Sequence, residues 1–290
     1  MIADRYIAMT QRLGLLGLTV VMVGYGQQAA PIDFDAEAAS GCDTIQSALR
    51  IGDLEYAFLA AIGLARAMGS TKPLPPAEAR VTGDVRDAAA DACGQIAAAF
   101  AANDPAKARQ VTANLFLVLT QAVSALPSTP QAKFARLEAV VSHLEGLNKF
   151  YRLAAVAKAA FDAGEIDKAA VYAHEMLDTA PQYPTDWNYG NAIYFGNWVL
   201  GRAALRKGNA TQAGQYLLDA ASTPGSPQLN SFGPNTRLAQ ELLEKGQTEV
   251  VLQYFTLCAN FWKMDYGQLA DWTAVVKGGG VPKFGATLLY

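Results

Sequence analysis

The chain is short of the residues that most metal and nucleophilic chemistry requires. It has two histidines, His143 and His174, and three cysteines in 290 residues. With no CxxC and no histidine near a second ligand at metal-binding spacing, no zinc site is expected. There is no Gly-x-Ser-x-Gly elbow, no His-Glu-x-x-His, and no Gly-Lys-Ser/Thr after Gly278-Gly279-Gly280. Hydrolase, zincin and phosphate-loop chemistry are thus left without a carrier. Sustained period-two alternation of β-branched residues is missing, which argues against sheets. A basic excess is missing as well: the net charge is -3 and the pI about 5.5, so nucleic acid is not an expected partner. At 51% hydrophobic and 17% charged residues, the composition argues against extensive disorder. These absences leave an all-α protein, not an enzyme, with neither metal nor cofactor expected.

Long hydrophobic runs are scarce, with one exception. Leu13 to Val23 is apolar, preceded by Arg5 and Arg12 and followed by Gly24-Tyr25-Gly26. The run falls short of the about 20 residues of a membrane-spanning helix. Gly24 and Gly26 suit a signal-peptidase site after Gly26. Residues 1–26 therefore read as an export signal, placing the mature chain in a bacterial periplasm or outside the cell. An uncleaved inner-membrane anchor and a first helix of the fold are the alternatives, and membrane contact is expected only through this segment if it is retained. In an oxidising compartment Cys42 and Cys93 could pair, leaving Cys258 as the odd thiol. The alternative is three small buried hydrophobes.

Beyond the signal, Pro31 to Ser40 reads as an exposed lead-in. Apolar residues follow a helical period from Cys42 to Met68, broken at Ile51-Gly52-Asp53. Prolines in the stretch Gly69 to Pro76 stop any helix, and Ala77 to Ala101 resumes one. Asp104 as cap and Pro105 as first residue open the next helix, which runs to about Ala125. Leu126 to Pro130 marks a boundary between an N-terminal helical region, 27–129, and the helices of 130–263. A cap and tail follow over 264–290. There Cys258, Phe261, Trp262, Tyr266, Leu269 and Trp272 recur mostly at three- and four-residue steps, which predicts an amphipathic helix pair. The last residues, Ala286 to Tyr290, either dock back on the fold or face a partner.

A phrase recurs in the helical part: Gly164-Glu165-Ile166-Asp167-Lys168-Ala169, Gly208-Asn209-Ala210-Thr211-Gln212-Ala213 and Gly246-Gln247-Thr248-Glu249-Val250-Val251. Each glycine ends one helix, and a small apolar residue follows five positions later inside the next. Gly52 with Ala57 and Asn103 with Ala108 hint at two degenerate copies. On these residues the stretch Leu147 to Lys263 resembles the tetratricopeptide repeat, whose hairpins run about 34 residues. Ala157, Ala169 and Pro181 match consensus positions in one unit. Leu200-Gly201, Ala213 and Ala220 do so in the next, and Leu238-Ala239, Phe255 and Cys258 in a third. The glycine-phrase spacings exceed the regular period, with insertions at Gln182 to Tyr189 and Ser226 to Phe232. The resemblance implies a right-handed α-solenoid whose concave face binds a protein or peptide segment.

It also implies which residues line that face: Tyr151, Lys158 and Phe161 from one first helix, Trp198, Arg202 and Arg206 from the next, and Gln240 from the third. Aromatic planes with cations between them suit an extended peptide bearing acidic groups. Family members that clamp a terminal carboxylate keep asparagine where this chain has Lys158, Arg202 and Gln240, so the carboxylate-clamping pattern is not met. The expected function is an exported scaffold that binds a protein or peptide segment in the periplasm or envelope. Two other readings stand beside it: a small-ligand binder or enzyme with a pocket between Trp187 and Trp198, and a structural subunit of an envelope complex using the C-terminal aromatics. The amide-rich stretch Asn188 to Trp198 could serve a ligand or simply fill the inserted loop.

Overall fold

The computed structural model describes residues 34–69 and 83–289. The signal over 1–26 and the proline loop over 70–76 lie outside the described residues. Every regular element among the described residues is helical. The α-helices are α1 (Phe34–Arg50), α2 (Leu54–Met68), α3 (Val85–Ala101), α4 (Pro105–Ser124), α5 (Pro130–Val141), α6 (Gly146–Asp162), α7 (Ile166–Thr179), α8 (Tyr189–Arg206), α9 (Ala210–Ala221), α10 (Pro227–Phe232), α11 (Arg237–Leu243), α12 (Thr248–Cys258) and α13 (Gln268–Lys277).

One turn is built five times. At Gly52, Gly164, Gly208 and Gly246 the backbone is left-handed, with φ of 78°, 87°, 81° and 74°, and Asn103 takes the same conformation at 54°. Each turn residue donates its N–H three residues back, and the residue after it donates five residues back. Asp53 thus reaches the Ala48 carbonyl, Asp104 that of Ala99, Glu165 that of Ala160, Asn209 that of Ala204 and Gln247 that of Leu242. These bonds satisfy carbonyls that a helix end would leave open. Asp53, Asp104 and Asn209 also cap the following helix through their side chains. Five positions after each turn residue stand Ala57, Ala108, Ala169, Ala213 and Val251, all fully buried. A small residue there lets the second helix close on the first. The five turns join α1 to α2, α3 to α4, α6 to α7, α8 to α9 and α11 to α12, and the helices of each pair pack together.

The described residues form two compact units, the first ending at His143 and the second starting at Leu144. The division falls after α5, downstream of the boundary expected at Leu126 to Pro130. Helix α5 falls in the first unit; its Arg136 donates to the Pro127 carbonyl at 2.8 Å and reaches Glu55 of α2 at 3.4 Å. In this unit α1 packs on α3 and α2 on α4. A disulfide joins Cys42 to Cys93 across α1 and α3, with Cα atoms 5.6 Å apart.

The lead-in expected over Pro31 to Ser40 is corrected by α1, which begins at Phe34 and buries Ala38. Alanines and acidic residues extend the helical period of Cys42 by two turns toward the N-terminus, which favours helix over loop. Helix α3 starts at Val85, behind an Asp84 cap, and the start expected at Ala77 lies outside the described residues.

In the second unit α6 packs on α8 and α8 on α11, so the first helices of successive pairs adjoin, and α9 packs on α12. Residues matched to small consensus positions are buried: Ala157, Ala169, Ala213, Ala220, Ala239 and Cys258 have no exposed surface. A Cβ on Gly201 would run into Leu238 of α11 and Tyr216 of α9. The insertion at Ser226 to Phe232 holds a short helix, α10, with Ser226 capping it and Pro227 as its first residue. The expected C-terminal helix pair is only half present. Phe261, Trp262 and Tyr266 lie between α12 and α13, where Tyr266 (φ 50°) and Gly267 (φ 87°) bend the chain against helix.

Candidate functional site

The seven residues expected on a binding face come from α6, α8 and α11, and much of their chemistry is spent between the helices. On α8, Trp198, Arg202 and Arg206 stand four residues apart and share one side. Phe161 of α6 and Trp198 are each 4% exposed. The Arg202 guanidinium lies over the Phe161 ring at 4.2 Å and the Trp198 ring at 4.9 Å. It also donates to both carboxylate oxygens of Glu241 on α11, at 2.7 Å through Nη2 and 3.0 Å through Nε. Its side chain is 12% exposed. A planar fork matched to a carboxylate and pressed between rings is a strong use of arginine, and it clasps three first helices together. Lys158 of α6 sits over Phe195 of α8 at 4.3 Å. Tyr151 donates to Asp186 at 2.7 Å and lies against Trp187 at 5.4 Å, tying α6 to the inserted loop.

Arg206 differs. It lies 5.3 Å from the Phe161 ring, and its own surface is open to solvent. Two further polar atoms in this row are buried without a hydrogen-bond partner among the described residues: Trp198 Nε1, a donor, and Gln240 Oε1, an acceptor. The row is therefore a seam in which Arg202 is paired with Glu241, with Arg206 exposed at its edge. Near the turn between α6 and α7, Asp167 accepts from Lys207 at 2.7 Å. That hydrogen bond, and then the ammonium charge, hold its carboxyl below the usual range.

The amides of the Asn188 to Trp198 stretch join the two inserted loops to each other. Asn191 donates to Asn188 and to Gln228 and accepts from Ser226 at 2.6 Å, while Thr223 donates to the Gly190 carbonyl at 2.7 Å. Trp187 and Trp198 make separate contacts, with Tyr151 and with Phe195 and Arg202. Open grooves do occur among the described residues, between α12 and α13, lined by side chains that include Gln253, Thr256, Thr273 and Lys277. No group of three His, Cys, Asp or Glu side chains among the described residues is placed to hold a metal ion.

A buried polar core in the second unit escaped the sequence reading. Tyr194 donates to the Asn235 carbonyl at 2.7 Å, and its hydroxyl pairs with that of Tyr254 at 2.8 Å. Since the Tyr194 proton is committed to Asn235, Tyr254 is the donor of that pair. Cys258 stands one turn beyond Tyr254, fully buried and outside any disulfide. Burial pushes its thiol well above the ordinary range. Burial likewise raises Tyr254, followed by the neighbouring Cys258 and Tyr194.

A folded-state value above the unfolded one gives stability that is complete below the unfolded pKa and is lost as pH rises past it. The urea midpoint of this unit should therefore hold steady up to about pH 8.5, the free thiol value, and fall above it. All four tryptophans, Trp187, Trp198, Trp262 and Trp272, lie in the second unit, so indole fluorescence reads its melt. In Cys258→Ala the fall should begin nearer pH 10, where tyrosine ionises. An unchanged onset would mean that the thiol is not what titrates.

No protein-family model matches the chain, and no curated protein or solved structure shows significant similarity to it.

Proposed function

We propose that the chain is an exported helical-repeat scaffold, a right-handed α-solenoid of tetratricopeptide type, that binds a protein or peptide segment along its row of first helices. The observation that carries this reading is the side-by-side placement of α6, α8 and α11, joined by cations laid on aromatic rings. A row already clasped by Arg202 and Glu241 is rigid, so a segment docking on it meets little ordering cost. Arg206 is the free charge on that row, and an acidic side chain of the segment is its natural complement. The Cys42–Cys93 disulfide favours an oxidising compartment and hence export. No helix among the described residues is long and apolar enough to cross a membrane.

A subunit role in an envelope assembly has its own support. Phe232, Met264 and Tyr266 are exposed, Tyr266 by 81%, on two loops that Asn230 and the Lys263 amide tie together. The two roles separate in a cross-linked pull-down from the native host, using the parent chain, Arg206→Glu, and Phe232→Ser with Tyr266→Ser. A partner lost only by Arg206→Glu, with its melting temperature unchanged, supports the helix row. A partner lost only by the Phe232/Tyr266 variant assigns the surface to assembly instead. Retention by all three rejects both.

A further inference from the structure

We propose, on the footing of the segment-binding role above, that residues 284–289 are an internal ligand: a Phe-x-x-Thr segment seated in a socket formed by α12, α13 and the turn before α11, and exchangeable for a partner segment of the same pattern. Phe284 is 2% exposed, with its ring 5.0 Å from Trp272 of α13 and 6.2 Å from Phe255 of α12. Three residues later Thr287 meets Thr236, the last residue before α11. The Thr236 N–H donates to the Thr287 carbonyl at 3.0 Å, and the two hydroxyls pair at 2.8 Å. Thr287 spends its own hydroxyl proton on the Phe284 carbonyl at 2.8 Å, so Thr236 is the donor between the hydroxyls. That internal bond bends the segment so that ring and hydroxyl present together. Arg237 adds a long contact, 3.5 Å, to the Leu288 carbonyl.

The rest of the segment is held loosely. Val281, Lys283, Gly285, Ala286 and Leu289 are exposed, Leu289 by 77%, and Pro282, Phe284 and Thr287 are the buried residues. Upstream, Gly278-Gly279-Gly280 is exposed and has no side chain with which to fix the tail. The socket itself is fully formed by other parts of the chain. Thr236 has no exposed surface with the tail in place, so a segment that replaces the tail must again offer partners to its N–H and hydroxyl. That requirement selects for a hydroxyl-bearing residue three positions after an aromatic ring, and disfavours segments that lack either.

A tethered tail competes at an effective concentration of roughly millimolar, so the test severs the tether. A protease site replaces Gly278 to Gly280 in the full chain, and a fluorescent peptide of residues 281–290 is titrated against cut and uncut protein. The cut chain should keep its helical circular dichroism and take up one peptide, with binding about 100-fold tighter than that of the uncut chain. Peptides carrying Phe284→Ala or Thr287→Val should each bind at least about tenfold more weakly. Equal binding to cut and uncut chains, no binding to a folded cut chain, or unfolding on cleavage would each overturn the proposal. If the inserted site itself prevents folding, hydrogen exchange of the unaltered chain decides: the Thr236 amide should exchange through local opening, well before the Leu242 amide. Exchange of both only with global unfolding makes the tail a permanent part of the core. Because the peptide titration reads the socket and the pull-down reads Arg206, the internal ligand can fail while the scaffold role stands, and the reverse.

Discussion

Alanine at Gly190 is expected to unfold the second unit under conditions where the first stays folded. A Cβ at Gly190 would lie inside the contact distance of the Gly225 carbonyl oxygen and 3.1 Å from Thr223 Oγ1. Backbone meets backbone there, so no side chain can swing aside. Gly225 is itself pinned: its φ is 86°, and any Cβ on it would come 2.7 Å from Phe261. The Thr223 bond to the Gly190 carbonyl and the Ser226–Asn191 bond hold the two loops at that separation. Relief requires pulling the start of α8 away from the chain before α10 and giving up those bonds, at about 4 kcal/mol or more. Tryptophan fluorescence should show the loss as a large drop in urea midpoint. Gly63→Ala serves as the matched comparison, because a Cβ there meets nothing within 4 Å inside α2. It should stabilise the first unit by about 0.8 kcal/mol through helix propensity. A Gly190→Ala chain that melts like the parent would mean that the two loops are free to separate.

Removal of the Cys42–Cys93 disulfide should have the opposite distribution. The bond spans 51 residues of sequence, and closing a loop of that size in the unfolded chain is worth about 4 kcal/mol in the chain-entropy account. For a unit of this size, that corresponds to a fall of roughly 15–30 °C in melting temperature. Paired Cys42→Ala and Cys93→Ala, or reduction with a phosphine, should destabilise the first unit as read by far-ultraviolet circular dichroism. The tryptophan-reported transition should stay where it is, since the first unit contains no tryptophan. A shift of both transitions together would show that the units melt as one.

The five turns account for most of what could be read from the sequence. A left-handed residue and a small apolar residue five positions on are local requirements, so they leave a local mark in composition, including the degenerate copies at Gly52 and Asn103. The clasp of Arg202 on Glu241 left no such mark. The sequence placed Arg202 on a binding face, yet its acceptor stands on another helix, and either residue alone looks solvated. Gly190 was hidden for the same reason, in a stretch whose aromatics and amides drew attention to ligands while its partner, Gly225, lies 35 residues on, just before Ser226. The helical turns from Phe34 to Ser40 were hidden because Pro31 suggests a loop and, of the side chains described over 36–40, Ala38 alone is buried. The pairing of Tyr254 with Tyr194 left no mark either, because nothing local announces that Tyr194 faces it.

The hydrogen bonds of each repeated turn run entirely between residues of one helix pair, from the end of the first helix to the start of the second. Within a pair the chain has no slack: one added residue would break the bond to the fifth preceding carbonyl and rotate the small residue out of the interface. Between pairs the connections range from short to long, and both inserted segments, Gln182 to Tyr189 and Ser226 to Phe232, fall there. The molecule thus separates a rigid grammar from a permissive one. Extra sequence, whether gained over generations or spliced in as a reporter, finds room at the seams between hairpins and meets resistance at their tips.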